Sequence, residues 1–261
     1  MAHDEAIRNV VAVGADPDRV ALLDNFSWGD PRRPATLGQL VAAVDGCHDA
    51  AVVHGAPFVS GKDSLNNEYT GADGARHAVP PTLVITAVAH VPDVGRTVTA
   101  ELSEPGNAVV LLGATAPEFG GSHLDLLRGD DPGGTVPQPD PDAPARYRRL
   151  HAAMRAELVR SCHDVSEGGL AVALAELCIA GRLGLDVEQL PHDDLAMALF
   201  SESTGRLVVE VRPADLPELV AVIGAVHHLG TVTWDPVLRL PGVAPIPVET
   251  LVAAFTTEPA P

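Results

Sequence analysis

Lysine is nearly absent: Lys62 is the single one among 17 lysine and arginine residues. Against 35 acidic residues this leaves a net charge of −18, with no arginine cluster that could track a phosphate backbone, which argues against a nucleic-acid partner and favours solubility. Cysteine is scarce too. Cys47, Cys162 and Cys178 form an odd set without CxxC spacing, so neither a disulfide framework nor a zinc site is supported, and reduced packing residues are expected. Apolar runs such as 109–112 and 170–175 are far too short to span a membrane, and no basic, apolar leader opens the chain; no membrane and a cytoplasmic location are expected. Two phosphate signatures are also missing. No GxGxxG marks a dinucleotide site, and the stretch from Gly55 to Gly61-Lys62 fails as a Walker A loop, because five residues separate the glycines and Asp63 stands where Ser or Thr should bind magnesium.

What is present is a chain of 261 residues, 46% hydrophobic, enough for two modest cores. The patterning predicts a helix over 4–13 opened by Asp4, a strand over 20–23, and an amphipathic helix over 36–54 with apolar Leu37, Leu40, Val41, Val44 and Cys47. A β-branched strand over 82–91 reads as covered on both faces. A connection over 96–106 leads to a second unit with strands at 108–112, 207–211 and 231–234, helices at 145–160 and 166–180, and an exposed loop over 129–144. The expected fold class is α+β, α/β-like, in two domains, 1–95 and 96–261, without a short repeat.

Three constellations carry chemistry. Ser60-Gly61-Lys62-Asp63-Ser64-Leu65-Asn66-Asn67-Glu68 puts the lone ammonium beside Gly, Ser, Asp and Asn after an apolar segment, which suits a phosphate oxygen; the other reading is a solvated hairpin turn. His163-Asp164-Val165-Ser166-Glu167-Gly168-Gly169 precedes a helical pattern, suiting an anion or metal-bound anion at a helix start, or else a plain cap by Asp164 or Ser166. Cys162 and His163 do not make a cysteine hydrolase pair, since neighbours in a strand point to opposite faces. Glu5 and Asn9, four apart on the first helix, share a face and could offer two hard ligands to Mg²⁺, or simply be solvated polarity.

The order of Glu5-Ala6-Ile7-Arg8-Asn9, Leu23-Asp24-Asn25-Phe26, Pro57-Phe58-Val59-Ser60-Gly61-Lys62-Asp63-Ser64-Leu65, His163-Asp164-Val165-Ser166-Glu167-Gly168-Gly169 and Leu199-Phe200-Ser201-Glu202-Ser203 resembles the C-terminal half of phosphoribosylformylglycinamidine synthases, in the superfamily of aminoimidazole ribonucleotide synthetase. The resemblance implies a truncated N-terminal-type synthetase domain, half of a β-barrel interface, followed by a C-terminal α/β sandwich domain. It also implies an ATP-dependent C–N ligase reaction of purine biosynthesis. Formylglycinamide ribonucleotide, ATP and glutamine-derived ammonia give the amidine, ADP and phosphate. By resemblance Asp24 and Gly61 contact ATP and Ser64 the substrate. Lys62 occupies a position where many small-type members carry a magnesium-binding Asn and others Lys; an ammonium cannot ligate a metal, so Lys62 is expected on phosphate, with Asp63 a weaker metal candidate. Glu5, Asn9 and Asp164 resemble the Mg²⁺ ligands of a second, auxiliary nucleotide site known in large-type members, where Ser166 resembles a nucleotide contact.

The chain departs from the family in extent. The segment ahead of the first helix, with a further metal-binding Asp, is missing, as are the N-terminal half, which carries the catalytic His, and any glutaminase domain. The expectation is a subunit, a split-gene product or an engineered fragment, inactive alone. Its expected partners are the N-terminal half or a second copy of the chain, together with a glutaminase subunit or domain. The alternative is a non-catalytic nucleotide-binding scaffold or paralogue. A stand-alone kinase-like activity would need His163 as its base.

Overall fold

The computed structural model describes residues 1–129 and 134–257. The part of the expected 129–144 loop at 130–133 lies outside them. The first unit runs α1 (Ala2–Ala12), β1 (Val20–Ser27), α2 (Pro34–His54), β2 (Phe58–Ser64), β3 (Glu68–Thr70), β4 (Arg76–Ala78) and β5 (Thr82–Ala89). The second runs β6 (Ala108–Leu112), α3 (His123–Arg128), α4 (Ala143–Arg155), β7 (Ser161–Asp164), α5 (Gly169–Gly181), β8 (Gly184–Val187), α6 (Leu195–Phe200), β9 (Leu207–Val211), α7 (Leu216–Ile223), β10 (His227–Thr233), β11 (Val237–Arg239), β12 (Ile246–Pro247) and α8 (Val248–Thr256). The class is α+β, as expected.

In the second unit a seven-stranded sheet, ordered β12-β11-β8-β10-β6-β9-β7, is covered on both faces. Period-two alternation divides its central strands between two cores. Val110 and Leu112 of β6 and Val209 and Val211 of β9 point to Tyr147 and Leu150 of α4, whereas Val109, Leu111 and Val208 point to Leu170, Leu174 and Leu177 of α5. Every residue of β6 and β9 is therefore buried, which explains their high Val and Leu content; the one charged residue, Glu210 of β9, accepts hydrogen bonds from Ser103, Asn107 and Ser161.

The first unit is an open half-barrel, a three-stranded sheet ordered β2-β1-β5, with β1 parallel to β2 and antiparallel to β5. Its inner residues, Val20 and Leu22, join Ile7 and Val11 of α1 in the same core as β6, β9 and α4. Helix α1 is thus shared by both units. Its outer face is bare: in β5, inward Leu83, Ile85 and Ala87 are half-buried, while Val84 and Val88 are 53% and 60% exposed. The expectation that this strand is covered on both faces is corrected; its apolar run is continuous, but one side meets solvent here. The same holds for α2, none of whose residues is buried and whose Leu37, Val41 and Val44 are exposed. Its apolar residues are present, but the surface that would cover them is not.

Two further expectations change. The run containing Lys62 is a strand for most of its length, not a loop or hairpin turn: Asp24, Asn25, Phe26 and Ser27 pair in register with Gly61, Lys62, Asp63 and Ser64. Parallel pairing with β1 overrides the turn-like composition. Asp4 does not open α1 either, since the helix begins at Ala2 after Met1 and Asp4 is buried within its first turn.

Because Ile7 is packed in a core that both units share, Ile7→Ala is expected to destabilise the chain by about 2–5 kcal/mol as one cooperative transition. Two separated transitions in calorimetry, with only the first shifted, would contradict this.

Candidate functional site

Helix α1 and strand β7 meet where the first unit joins the second, and they bring together side chains that are 155 or more residues apart in sequence. Glu5, His163, Asp164, Ser166, Glu167 and Glu176 line a small cavity of about 180 Å³. The Asn9 side chain faces Asp164: with its nitrogen turned inward it donates to both carboxylate oxygens at 3.0 Å. In the opposite orientation the amide oxygen would face those oxygens, a set of acceptors that only a cation can reconcile. Ser166 Oγ donates to Asp164 Oδ2. The reading of Asp164 or Ser166 as a plain helix cap is therefore corrected: neither caps α5, whose N-cap is Gly168 in the left-handed region.

Electrostatics make the cavity a charged and partly compensated site. Burial alone would raise Asp164, but hydrogen bonds from His163 and Ser166 and the charge of Arg8 hold it at about 2, so it stays a carboxylate. Glu5 is raised, by burial first and also by Asp164, with Arg8 opposing. His163 lies 2.7 Å through Nε2 from Glu176 Oε2 and 3.3 Å through Nδ1 from Asp164 Oδ1. Burial pulls its pKa down, yet the hydrogen bonds to Asp164 and Glu176 prevail and lift it to about 9. A histidine held as a cation between two carboxylates is a poor general base at neutral pH, which removes the group that a kinase-like reading needed.

The fit to Mg²⁺ rests on oxygen donors. Among the described residues no three His, Cys, Asp or Glu side chains form a metal-holding group, so the set reaches three only with the Asn9 amide. Hard oxygen ligands of this kind suit Mg²⁺, which keeps several waters or phosphate oxygens. Asp63, the fourth metal candidate, stands on β2 and is not among the cavity-lining residues.

The Leu199-Phe200-Ser201-Glu202-Ser203 run explains how the α5 start is held. Glu202 Oε1 accepts the backbone N–H of Gly168 at 2.8 Å and of His123 at 2.9 Å. A side chain on Gly169 would strike the carbonyls of Leu199 and Ser201. Fully buried Arg206 donates to the Ser201 and Ser203 carbonyls and to Thr115 Oγ1, fixing the run.

The second candidate group lies on β1 and β2, and alternation splits it between two faces. Asp24 packs against Gly61, where an added Cβ would overlap its carboxylate. Its pKa is raised, by burial and then by the charge of Asp63. On the alternate positions Lys62 Nζ donates to Ser64 Oγ at 2.5 Å, and both residues belong to the solvent-facing edge of the half-barrel. Asp24, Gly61 and Asp63 thus alternate with Lys62 and Ser64.

A larger cavity of about 660 Å³ lies beside Asp4, walled by α2, the start of α1, Leu83 and Ile85 of β5, and Pro139 and Pro141. It is mainly apolar and lacks the converging oxygens of the smaller site. Asp4, Arg8, Tyr147 and Glu176 carry no site signal in the sequence beyond the Asp4–Arg8 spacing of four, whereas His163 and Glu202 stand in its motifs without an assigned contact.

The architecture is that of a two-unit α+β chain, and family matches assign both units. Residues 1–91 match the N-terminal domain of AIR synthase related proteins and residues 104–241 match the C-terminal domain. The chain belongs to the AIR synthase related family. Among curated proteins it is 43% identical over 239 residues to phosphoribosylformylglycinamidine synthase subunit PurL of Thermobifida fusca, covering 89% of this chain and 30% of that one. The PurL subunit of Limosilactobacillus reuteri is 36% identical over 231 residues, with 88% and 30% covered. The chain therefore spans about 30% of the length of these relatives. In fold it is similar to Thermotoga maritima PurL complexed with FGAR, with a TM-score of 0.70 at 22% identity over 95% of this chain and 41% of that one. A HypE–HypF complex gives 0.69 at 14% identity, covering 93% and 82%.

Two measurements check this geometry. Gly61→Ala is expected to cost about 1–3 kcal/mol through overlap with Asp24, and Asp24→Ala in the same chain should restore most of it; equal losses in the single and double variants would refute the contact. By NMR, His163 should be an imidazolium at pH 7.5, and Glu176→Gln should lower its pKa because one stabilising anion is removed; a neutral ring in the unmodified chain would refute the clamp.

Proposed function

We propose that the chain is one part of an ATP-dependent C–N ligase that converts formylglycinamide ribonucleotide, ATP and glutamine-derived ammonia to formylglycinamidine ribonucleotide, ADP and phosphate. The observation that carries this is the similarity to PurL subunits, which covers 89% of the chain, while the family matches over 1–91 and 104–241 span the segments gathered at β1–β2 and at α1–β7. In this reaction ATP phosphorylates the amide oxygen and leaves as ADP; ammonia then adds to the carbon, and phosphate departs as the proton count is restored by solvent. The protein positions phosphates and neutralises charge.

In this reading Lys62 meets a phosphate oxygen and Ser64 the substrate, on the alternating positions of β2 that face the open side of the half-barrel. Asp24 and Gly61 contact ATP from the other set of positions. Glu5, Asn9 and Asp164 hold Mg²⁺ at an auxiliary nucleotide site, with Ser166 beside the nucleotide and Asp63 a weaker ligand elsewhere. When bound, Mg²⁺ would neutralise phosphate charge there. The boundary between the two units is taken near residue 95.

The partners follow from the bare surface. Val84 and Val88 on the open side of the sheet, and the exposed apolar residues of α2 on its other side, leave apolar surface uncovered beside a sheet edge, a recognised basis for association. The N-terminal half of the synthetase, or a second copy of this chain, would cover it, and a glutaminase subunit or domain would supply ammonia. Among the described residues no helix is long and apolar enough to cross a membrane. The alternative reading is a non-catalytic nucleotide-binding scaffold; the clamped His163 counts against a stand-alone activity of this chain but does not separate the two.

Calorimetric titration with ADP in the presence and absence of Mg²⁺ tests the assignment. Magnesium-dependent binding that is lost in Asp164→Ala but kept in Lys62→Ala is expected. Synthetase activity should appear only when the remaining part of a PurL protein is added, and should then fall at least tenfold in Lys62→Ala. Binding unaffected by Asp164→Ala would overturn the auxiliary site; binding with no activity on full reconstitution would favour the scaffold.

A further inference from the structure

Between the apolar cavity and the Asp164 cavity lies a buried ionic group to which the proposed function gives no role. Arg8 is 3% exposed and projects from the same helix as Glu5 and Asn9. Its Nη1 pairs with Asp4 Oδ2 at 2.5 Å. Its Nε faces Asp164 Oδ2 at 3.7 Å and has no hydrogen-bond partner. That separation is too long for a hydrogen bond. An unpaired, buried guanidinium nitrogen next to a buried carboxylate should close the gap unless something holds it back, since a charge-assisted bond there is strongly favoured.

Asp4 is what holds it. One carboxylate oxygen accepts from Tyr147 Oη at 2.5 Å, and the other accepts from the Gly205 backbone N–H at 3.2 Å as well as from Arg8. Donors on α4 and on the turn before β9 therefore fix Asp4 independently of Arg8. Asp164 meanwhile takes its own partners: Ser166, His163 and the Asn9 amide.

We propose that Asp4 is a positioning residue that anchors Arg8 and keeps its guanidinium off Asp164, so that Asp164 remains available to a divalent cation. This rests on the reading of Glu5, Asn9 and Asp164 as cation ligands. Arg8 lowers the repulsion among the carboxylates of the cluster, and Asp4 prevents that compensation from becoming a closed salt bridge. Neutralising Asp4 frees Arg8 to make a direct pair with Asp164, which competes with the cation for the same oxygens.

The test measures Mn²⁺ binding by electron paramagnetic resonance, with Mg²⁺-dependent ADP binding by calorimetry alongside, on the full chain and on Asp4→Asn, Arg8→Met, the Asp4→Asn/Arg8→Met pair and Asp164→Ala. Melting curves verify that each variant is folded at the assay temperature. Asp4→Asn is expected to weaken Mn²⁺ binding at least tenfold, and the pair to recover most of that loss because the competitor is gone. Arg8→Met alone should bind Mn²⁺ at least as tightly as the unmodified chain, and this arm decides the matter if Asp4→Asn does not fold. A purely structural role for the ionic group predicts the reverse, with Arg8→Met weak and the pair weaker still, and that result overturns the proposal. Asp4→Asn binding equal to the unmodified chain also overturns it while leaving the cation site standing. Equal Mn²⁺ binding by the unmodified chain and Asp164→Ala removes the cation site itself, and the anchor with it.

Discussion

The whole arrangement depends on the burial of helix α1 between two sheets. Its Ile7 and Val11 belong to a core built also by β1, β6, β9 and α4, and its polar residues face a strand of the other unit. One helix of 11 residues therefore contributes to packing and to the candidate cation site at once. Buried charge is the cost of that position. It is met by pairing: Asp4 with Arg8, Tyr147 and Gly205, and Asp164 with His163 and Ser166, so that each carboxylate removed from water has donors in its place.

Much of the fold was legible in the sequence where periodicity is strong. The buried β6 and β9 and the helices α1, α2, α4 and α5 follow from patterns that local physics enforces. The strand β2 was not legible. Its Gly, Ser, Asp and Asn content signals a turn, and only register with β1, supplied from far outside any local window, makes it extended. Helices α3 and α6, of six residues each, and the two- to four-residue strands β8, β11 and β12 are too short for a periodic signal. Among site residues, Glu5, Asn9, Asp164 and Ser166 were readable through motif resemblance, and the structure does gather them. The ionic group around Arg8 was not, because Tyr147 lies 143 positions from Asp4 and nothing in either segment announces the other.

The half-barrel gives the lone lysine a particular setting. Lys62 is exposed on the edge strand β2; Asp63 of that strand and Asp24 of its neighbour β1 lie on the opposite set of positions, so a single cation stands beside two carboxylates that strand alternation turns away from it. An ammonium so placed keeps its charge available for an incoming anion rather than spending it on a neighbour. The same sheet leaves Val84 and Val88 in water, and the polar and apolar parts of one surface would thus be enclosed together when a partner covers it.

The contact between Asp4 and Gly205 closes a stretch of 201 residues, and that between Asp4 and Tyr147 one of 143. Loop closure of this length is entropically costly and is repaid only after the intervening elements have formed. Pairing of β1 with its neighbours and of β6 with β9 can precede it, but the oxygen cluster at α1 and β7 cannot exist until segments 155 residues apart, those of Asn9 and Asp164, have met. Any ligand held there would tie α1 to β7, and its retention would report on the joining of the two units rather than on the state of one.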